Sequence, residues 1–363
     1  MKHTLMAAAL AALSLHAHAQ SEEGADGPKK GGGASAVTIY GSIDGGLRHE
    51  TNVDPEGNSD TTMSSNGTFR SNRLGFRGSE DIGGGNRVNF VLEMGFNSGT
   101  GALNNTNNVI FQREAHVGMS GDWGALDVGR NYTLAYRTIL AFDPFKYRYP
   151  GITYALSSTN GTRKDNDVQY TGKFGDWTAR AEYALGEVAG DADYGTTKAV
   201  GMNYAAHGLK LGATYSIAKQ NVGTSAAPNY RDYKHYAFGA SYDFGATTLS
   251  AGHVRQEQES TTRPATSTWD WAGASYQFSE RFDLTAAVYR NTAYNFKASA
   301  AAAVGDARKT LYMAGVTYLL SKRTTLYAEL DRTRLAGGFA TGGTAKLNQT
   351  RQSGMAAGIM HVF

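Results

Sequence analysis

The sequence predicts an all-β fold, a closed antiparallel transmembrane barrel of about 16 strands, and three observations carry that reading. Segments of roughly ten residues alternate apolar with polar side chains, which is the length a tilted strand needs to cross a bilayer. The links between them are alternately tight and long, as expected of a cylinder with short periplasmic turns and long external loops. All six prolines (Pro28, Pro55, Pro144, Pro150, Pro228, Pro264) fall between the alternating segments, and a paired sheet interior excludes proline.

The stretch Arg73 to Phe96 states the pattern twice. Leu74, Phe76 and Gly78 share one parity, against Arg73, Arg77 and Ser79. After a Gly-rich turn at Glu80 to Asn86, Val88, Phe90, Leu92, Met94 and Phe96 alternate with Arg87, Asn89, Glu93 and Gly95. A soluble sheet would bury its apolar face under a second layer, whereas a membrane barrel turns it outward to lipid around a wet lumen.

In chain order, Met1 to Ala19 has Lys2 near its start, an apolar run from Met6 to Leu15 and the small-x-small triplet Ala17-His18-Ala19. It reads as a secretory signal peptide cleaved before Gln20, because the apolar run is too short to span a bilayer. Residues 20–36 form a Gly, Glu and Lys tail without apolar periodicity, and residues 37–363 form the barrel. The first strand sets Val37, Ile39, Ile43 and Leu47 against Thr38, Tyr40, Ser42, Asp44 and Arg48. Polar loops follow at Glu50 to Thr68 and, after the hairpin, at Asn97 to Asn108.

Beyond them, short links at Gly121, Gly172, Ala206, Asp243, Ser279 and Ser321 alternate with long ones. The long links begin near Asn131, Gly186, Gln220, Glu257, Asn291 and Arg334. Trp177, Ala179, Ala181, Tyr183 and Leu185 are expected to face lipid, with Thr178, Arg180 and Glu182 inward. Leu209, Leu211, Ala213, Tyr215 and Ile217 are likewise set against Lys210, Thr214 and Ser216. Between Thr268 and Phe278, Trp269 and Trp271 have the opposite parity to Tyr276 and Phe278, which suggests a bulge or a shifted register. Phe278, Tyr318 and Phe363 stand near strand ends, where an interfacial girdle requires aromatics. The last strand ends on Phe363 and closes the cylinder against the first, leaving no edge unpaired in hydrocarbon.

Composition excludes several functions. The chain has no Cys, hence no disulfide and no thiolate metal site. The formal charge of +3 falls to +2 once Lys2 is cleaved away, so no nucleic-acid partner is indicated. The histidines are scattered without ligand spacing, so neither a metal nor a cofactor is expected. There is no Gly-x-Ser-x-Gly elbow, and Gly338 to Lys346 lacks the Gly-Lys-Ser/Thr ending of a phosphate loop, so no catalytic residue is assigned.

Several strings resemble the general porins of Gram-negative outer membranes, especially those of betaproteobacteria. They are Val37 to Gly41 with Ile43-Asp44, GFRGSEDIGGG within Arg73 to Gly85, REAHVGM at Arg113 to Met119, Gly129-Arg130-Asn131-Tyr132, LSKRT at Leu320 to Thr324, and the terminal His361-Val362-Phe363. They occur in family order across nearly the whole mature chain. The resemblance implies a passive channel for small ions and solutes in the outer membrane. It also implies a homotrimer among lipid and lipopolysaccharide, assembled by the barrel-assembly machinery with Phe363 as part of the signal. In such barrels the third external loop folds inward and narrows the passage. Two departures stand out. The 20–36 tail is longer than the usual start, and Asn97 to Asn108 lacks the glutamate with which that loop can latch onto a neighbouring subunit.

The residues agree about the third loop, taken as 131–162. It alone among the long links is rich in apolar side chains. A loop in solvent gains nothing from Leu134, Ile139, Leu140, Phe142 and Phe145, while one packed on the inner wall buries them. Its charges are Arg137, Asp143, Lys146 and Arg148, a local excess of cations. The opposing wall offers Arg73, Arg77 and Arg113, with Arg48 further round. These eight residues are the expected constriction, and in a narrow passage they would create a field favouring anions weakly. The alternative for each arginine is an ion pair with Glu93, Glu182 or another carboxylate. Strict alternation groups Arg113 with Ala115 and Val117, so its inward placement rests on the motif match. Arg130 has outward parity and is assigned to the subunit interface. A rival reading is a channel specific for sugars or phosphate, with Tyr132, Tyr136, Tyr147, Tyr149 and Tyr154 stacking sugar rings. An outer-membrane hydrolase would need a Ser/His/carboxylate set that cannot be assembled here. Display as an adhesin or phage receptor is compatible with a channel.

Overall fold

The computed structural model describes residues 36–63, 68–149, 161–260, 264–296, 305–340 and 349–363. The expected signal peptide and all of the tail up to residue 35 lie outside the described residues, as does Tyr154. The described residues form β1 (Ala36–Glu50), β2 (Asp60–Met63), β3 (Arg73–Gly83), β4 (Asn86–Gly95), β5 (Glu114–Gly121), β6 (Gly124–Tyr132) and helix α1 (Leu134–Phe142). They continue with β7 (Arg163–Phe174), β8 (Trp177–Ala184), β9 (Thr197–Ala206), β10 (Leu209–Asn221), β11 (Tyr230–Asp243) and β12 (Thr247–Gln258). The last five are β13 (Ala265–Ser279), β14 (Phe282–Phe296), β15 (Gly305–Ser321), β16 (Thr324–Gly337) and β17 (Arg351–Val362).

β2 is a short piece of the first long link that pairs with Leu47 to Glu50, so sixteen strands build the wall. All neighbours run antiparallel. β1 pairs with β3 along Ala36 to Ser42 and with β17 from Ser42 opposite Val362 to Glu50 opposite Gly354, which closes the cylinder. Phe363 and Gly41 exchange both backbone hydrogen bonds at 3.1 Å. Among the described residues every wall strand is paired on both sides, the condition a sheet in hydrocarbon must meet.

The inside-out polarity follows from the alternation. On β1, Val37 is 67% and Ile43 46% exposed, whereas Asp44 and Arg48 are buried inward. Trp177, Tyr183, Leu211 and Tyr215 face outward and Thr214, Ser216 and Glu182 inward, as the pattern predicts. The expected irregularity near Trp269 is corrected. Trp269 and Trp271 are buried on the lumenal side while Tyr276 and Phe278 are exposed, so alternation is unbroken. The only shift against β14 falls at Gln277/Ser279. These tryptophans are lumenal because something inside the barrel covers them.

Turns at the short-link end are tight. Between β9 and β10, His207 (φ 52°) and Gly208 (φ 78°) both occupy the left-handed region, the requirement of a two-residue hairpin whose twist matches its strands.

Candidate functional site

The chain leaving β6 turns into the lumen. Thr133 caps α1, its Oγ1 accepting from Tyr136 N at 3.2 Å. Leu134 N donates to Glu182 Oε2 of β8 at 2.8 Å, which sets a carboxylate at the positive end of the helix. Leu134, Ile139 and Phe142 are each 1% exposed. Burying such a side chain is worth roughly 1.5–3 kcal/mol relative to leaving it in water, so α1 lies against β8 to β12 instead of standing in solvent.

The wall is shaped to receive it. Gly212, Gly239 and Gly252 stand opposite one another on β10, β11 and β12. A Cβ at Gly239 would fall 2.5 Å from the Phe142 ring, and one at Gly212 also 2.5 Å from it. Trp271 covers Gly252 and donates from Nε1 to Phe142 O at 2.9 Å. Further along, Pro144 sits on Gly273, and Phe145 and Tyr149 on Gly315.

After α1 the chain wraps around Asp143. Its carboxylate accepts from Tyr289 Oη of β14, from Phe145 N at 3.1 Å and from Tyr147 N at 2.7 Å. Burial pushes this carboxyl up to about 6, against the pull of those donors. Lys146, Tyr147 and Tyr149 adopt positive φ (53°, 56° and 69°), which turns the tip across the lumen. There Tyr149 N donates to Phe69 O at 3.0 Å, and Phe69 stacks on Tyr327 at 4.9 Å between ring centroids.

Phe69 belongs to a second inward segment, residues 68–72, pinned by Asp44. Asp44 Oδ2 accepts Phe69 N at 2.6 Å and Arg70 N at 2.7 Å, and its Oδ1 accepts Tyr327 Oη at 2.6 Å. Asn72 Oδ1 accepts from Asp44 N in return. Both loops therefore meet inside the barrel. Asp44, Asn72, Phe69, Trp271 and Tyr289 are structural residues of the site that sequence reasoning did not single out. Inward parity was the available signal for Asp44, Trp271 and Tyr289; none marked the 68–72 segment.

The expected constriction residues take several positions. Arg48 is buried and binds Glu329, Asp331 Oδ2 at 2.7 Å and Glu50 Oε1 at 2.9 Å. Arg113 turns inward just before β5 begins, breaking the parity of exposed Val117; its Nε reaches Glu93 Oε1 at 2.5 Å and its Nη2 Tyr132 Oη at 2.7 Å. Arg73 approaches the same Glu93 at 4.0 Å. Arg77 lies nearer the short-turn end, exposed, with its guanidinium 5.1 Å from the Tyr40 ring. Arg137 faces Glu114 at 4.0 Å, and Arg148 lies 5.0 Å over the Phe69 ring. Lys146 is half-buried on the tip, and Asp143 is withdrawn beneath it. Arg130 keeps outward parity, with Nε to Gln112 O at 2.7 Å and an ion pair to Asp165. Of the tyrosines considered for sugar stacking, Tyr132, Tyr136 and Tyr149 are buried, and Tyr132 and Tyr136 stack on each other at 4.6 Å.

A family model described as Gram-negative porin matches residues 7–338. An outer membrane porin protein of Bordetella pertussis strain Tohama I is 28% identical over 408 residues, spanning 100% of both chains. Outer membrane porin protein 32 of Delftia acidovorans is 30% identical over 261 residues, 69% of this chain and 68% of that one. Among solved structures, an anion-selective porin from Comamonas acidovorans superposes with a TM-score of 0.76 at 24% identity, covering 91% of this chain and 100% of the other.

Proposed function

This chain belongs to the Gram-negative porin family, and from that premise we propose that its outer-membrane channel passes small hydrophilic solutes with a weak preference for anions. One observation supports this most. Six carboxylates around the third loop, Asp44, Glu93, Glu114, Asp143, Glu182 and Glu329, are each less than a tenth exposed, while Glu50 and Asp283 are half-buried beside Arg48 and the loop cations. Arg137, Lys146 and Arg148 on the loop, and Arg77, Arg163 and Arg180 on the wall, keep contact with solvent. Most of the negative charge is tucked behind positive charge, so a hydrated ion in the passage meets a net positive field. Arg48, Arg73 and Arg113 complete the constriction by fixing the carboxylates behind it.

In the same reading residues 1–19 are the cleaved leader and 20–36 a periplasmic tail. Phe363 serves barrel closure and assembly, and three copies associate with Arg130 at the contact. No enzymatic activity is assigned.

Reversal potentials in a planar bilayer under a KCl gradient test the selectivity. The wild-type channel is expected to favour chloride, and Arg137→Gln, Lys146→Gln and Arg148→Gln together to move the potential toward potassium. A wild-type channel that favours potassium refutes the reading.

A further inference from the structure

Arg148 stands on the tip of the third loop, but the surface under its guanidinium belongs to another part of the chain. Its Cζ lies 5.0 Å over the ring of Phe69, within the range in which the negative face of an aromatic attracts a cation. A ring can place a cation only if it is itself fixed. Phe69 N donates to Asp44 Oδ2 at 2.6 Å, and Phe69 O accepts from Tyr149 N at 3.0 Å. The ring stacks on Tyr327 at 4.9 Å and meets Tyr149 edge-on at 5.0 Å, and the residue is 3% exposed. Tyr327 is fixed in turn, because its hydroxyl crosses Gly46 of β1 and Gly358 of β17 to reach Asp44 Oδ1 at 2.6 Å. A Cβ at either glycine would collide with that hydroxyl.

The guanidinium is pulled elsewhere as well. Asp143 and Asp283 lie within electrostatic reach of Arg148, the first buried beneath the loop and the second half-buried on β14. A long side chain drawn fully onto either carboxylate would have its charge cancelled at the wall. Over a ring face it keeps that charge, and the planar, weakly hydrated guanidinium is the cation suited to lie there. Arg148 is half-buried and keeps contact with solvent in this position.

We infer that Phe69 is a positioning residue for ion selection, its ring holding the Arg148 guanidinium at the loop tip, so that the segment at 68–72 shares with the third loop in setting the preference for anions. Phe69 itself touches no ion. It acts through Arg148, and Asp44 acts through Phe69 and Tyr327 by fixing the surface on which the cation rests. The backbone tie from Tyr149 N to Phe69 O joins the two inward segments whatever the side chain at 69. A change confined to the ring therefore alters the seat of the guanidinium without untying the loop.

The inference rests on the selectivity proposed above, and its test separates the two. Phe69 of the full barrel is replaced by ring-fluorinated phenylalanines through nonsense-codon suppression, and reversal potentials are read in a planar bilayer under a KCl gradient. Fluorine withdraws the negative charge of the ring face while nearly keeping its shape, so a purely structural role would not respond. The chloride-to-potassium permeability ratio is expected to fall with each added fluorine, by about twofold in all, the lower end of what one cation–π contact at a solvated site supplies. Phe69→Leu should match the most fluorinated ring, and Phe69→Tyr, which keeps the ring face, should stay near the wild type. In an Arg148→Gln background the fluorine series should be flat. A ratio that ignores fluorine while Arg148 is present overturns the inference and leaves Phe69 as packing. A series equally steep with and without Arg148 overturns it too, since the ring would then act through another group. A wild-type channel that favours potassium refutes the proposed preference alone, because a fluorine response that requires Arg148 would still establish the positioning.

Discussion

The two halves of the lumen are built on different physics. On the side of β10 to β12 the wall is notched by facing glycines, and α1 seats Phe142 on Gly212 and Gly239 beneath Trp271. Across the lumen, β1, β3 to β5 and β16 present buried charge, with Arg48 among Glu50, Glu329 and Asp331 and Arg113 with Arg73 on Glu93. Shape complementarity fixes where the third loop lies, because packing falls off steeply with separation. Charge pairing fixes which groups the water column meets. A channel can thus change its selectivity on one half without losing its loop from the other.

Removing the buried cation should break the charged half most severely. Arg48→Met leaves Glu329 and Asp331 buried without their partner, and an uncompensated buried charge costs about 3–5 kcal/mol. Guanidinium unfolding of the barrel in lipid vesicles is expected to show that loss. Adding Glu329→Gln and Asp331→Asn should restore most of it, because the charge left behind, and not the missing side chain, is the penalty. A small loss in the single variant would mean that water reaches the cluster.

Asp143 stands where the halves join, and its titration sharpens the comparison. Its carboxyl lies at about 6 when the loop is docked, against an ordinary value of 3.8. A raised acid favours the docked state in its protonated form. The contribution is complete below about pH 4 and is lost as pH rises through about 6, on the order of 2–3 kcal/mol across the window. Loop flicker in single-channel records should therefore be rarer at pH 4.5 than at pH 7.5. Asp143→Asn should flatten that dependence while Arg48 and its partners remain in place. Equal pH dependence in the variant would move the switch elsewhere.

The barrel was legible because alternation is local: each strand announces its faces residue by residue, and the link lengths announce its ends. The inward third loop was legible from Leu134, Ile139, Leu140, Phe142 and Phe145, since apolar side chains need a place to be buried. What stayed hidden depends on pairing across the lumen. Arg48 meets Glu329 and Asp331 more than 280 positions away, and no sequence period links them. The segment at 68–72 has no apolar rhythm, and contacts from distant parts of the chain, with Asp44, Tyr327 and Tyr149, hold it inside. Trp269 and Trp271 looked like a fault in the strand because aromatics were expected on the lipid side; their cover, α1 and the tip beyond it, comes from a distant link. α1 itself is a single short helix inside a loop, capped by Thr133, and nine residues give little period to read.

The mildest test addresses the shaped half. Gly239→Val places a Cβ 2.5 Å from the Phe142 ring, a distance real contacts do not reach, and Phe142 is itself 1% exposed. Overpacking of this kind costs about 1–3 kcal/mol, and relief is available only by moving α1 toward the water column, so conductance should fall. At Gly45 of the same barrel an added Cβ meets nothing within 4 Å, and Gly45→Val should leave both stability and conductance as they were. Phe142→Leu, which shortens the ring side of the contact, should recover part of what Gly239→Val loses, giving a coupling between the two positions of about 0.5–3 kcal/mol. Independent effects would mean that α1 is held by Asp143 and Trp271 and only rests on the glycines.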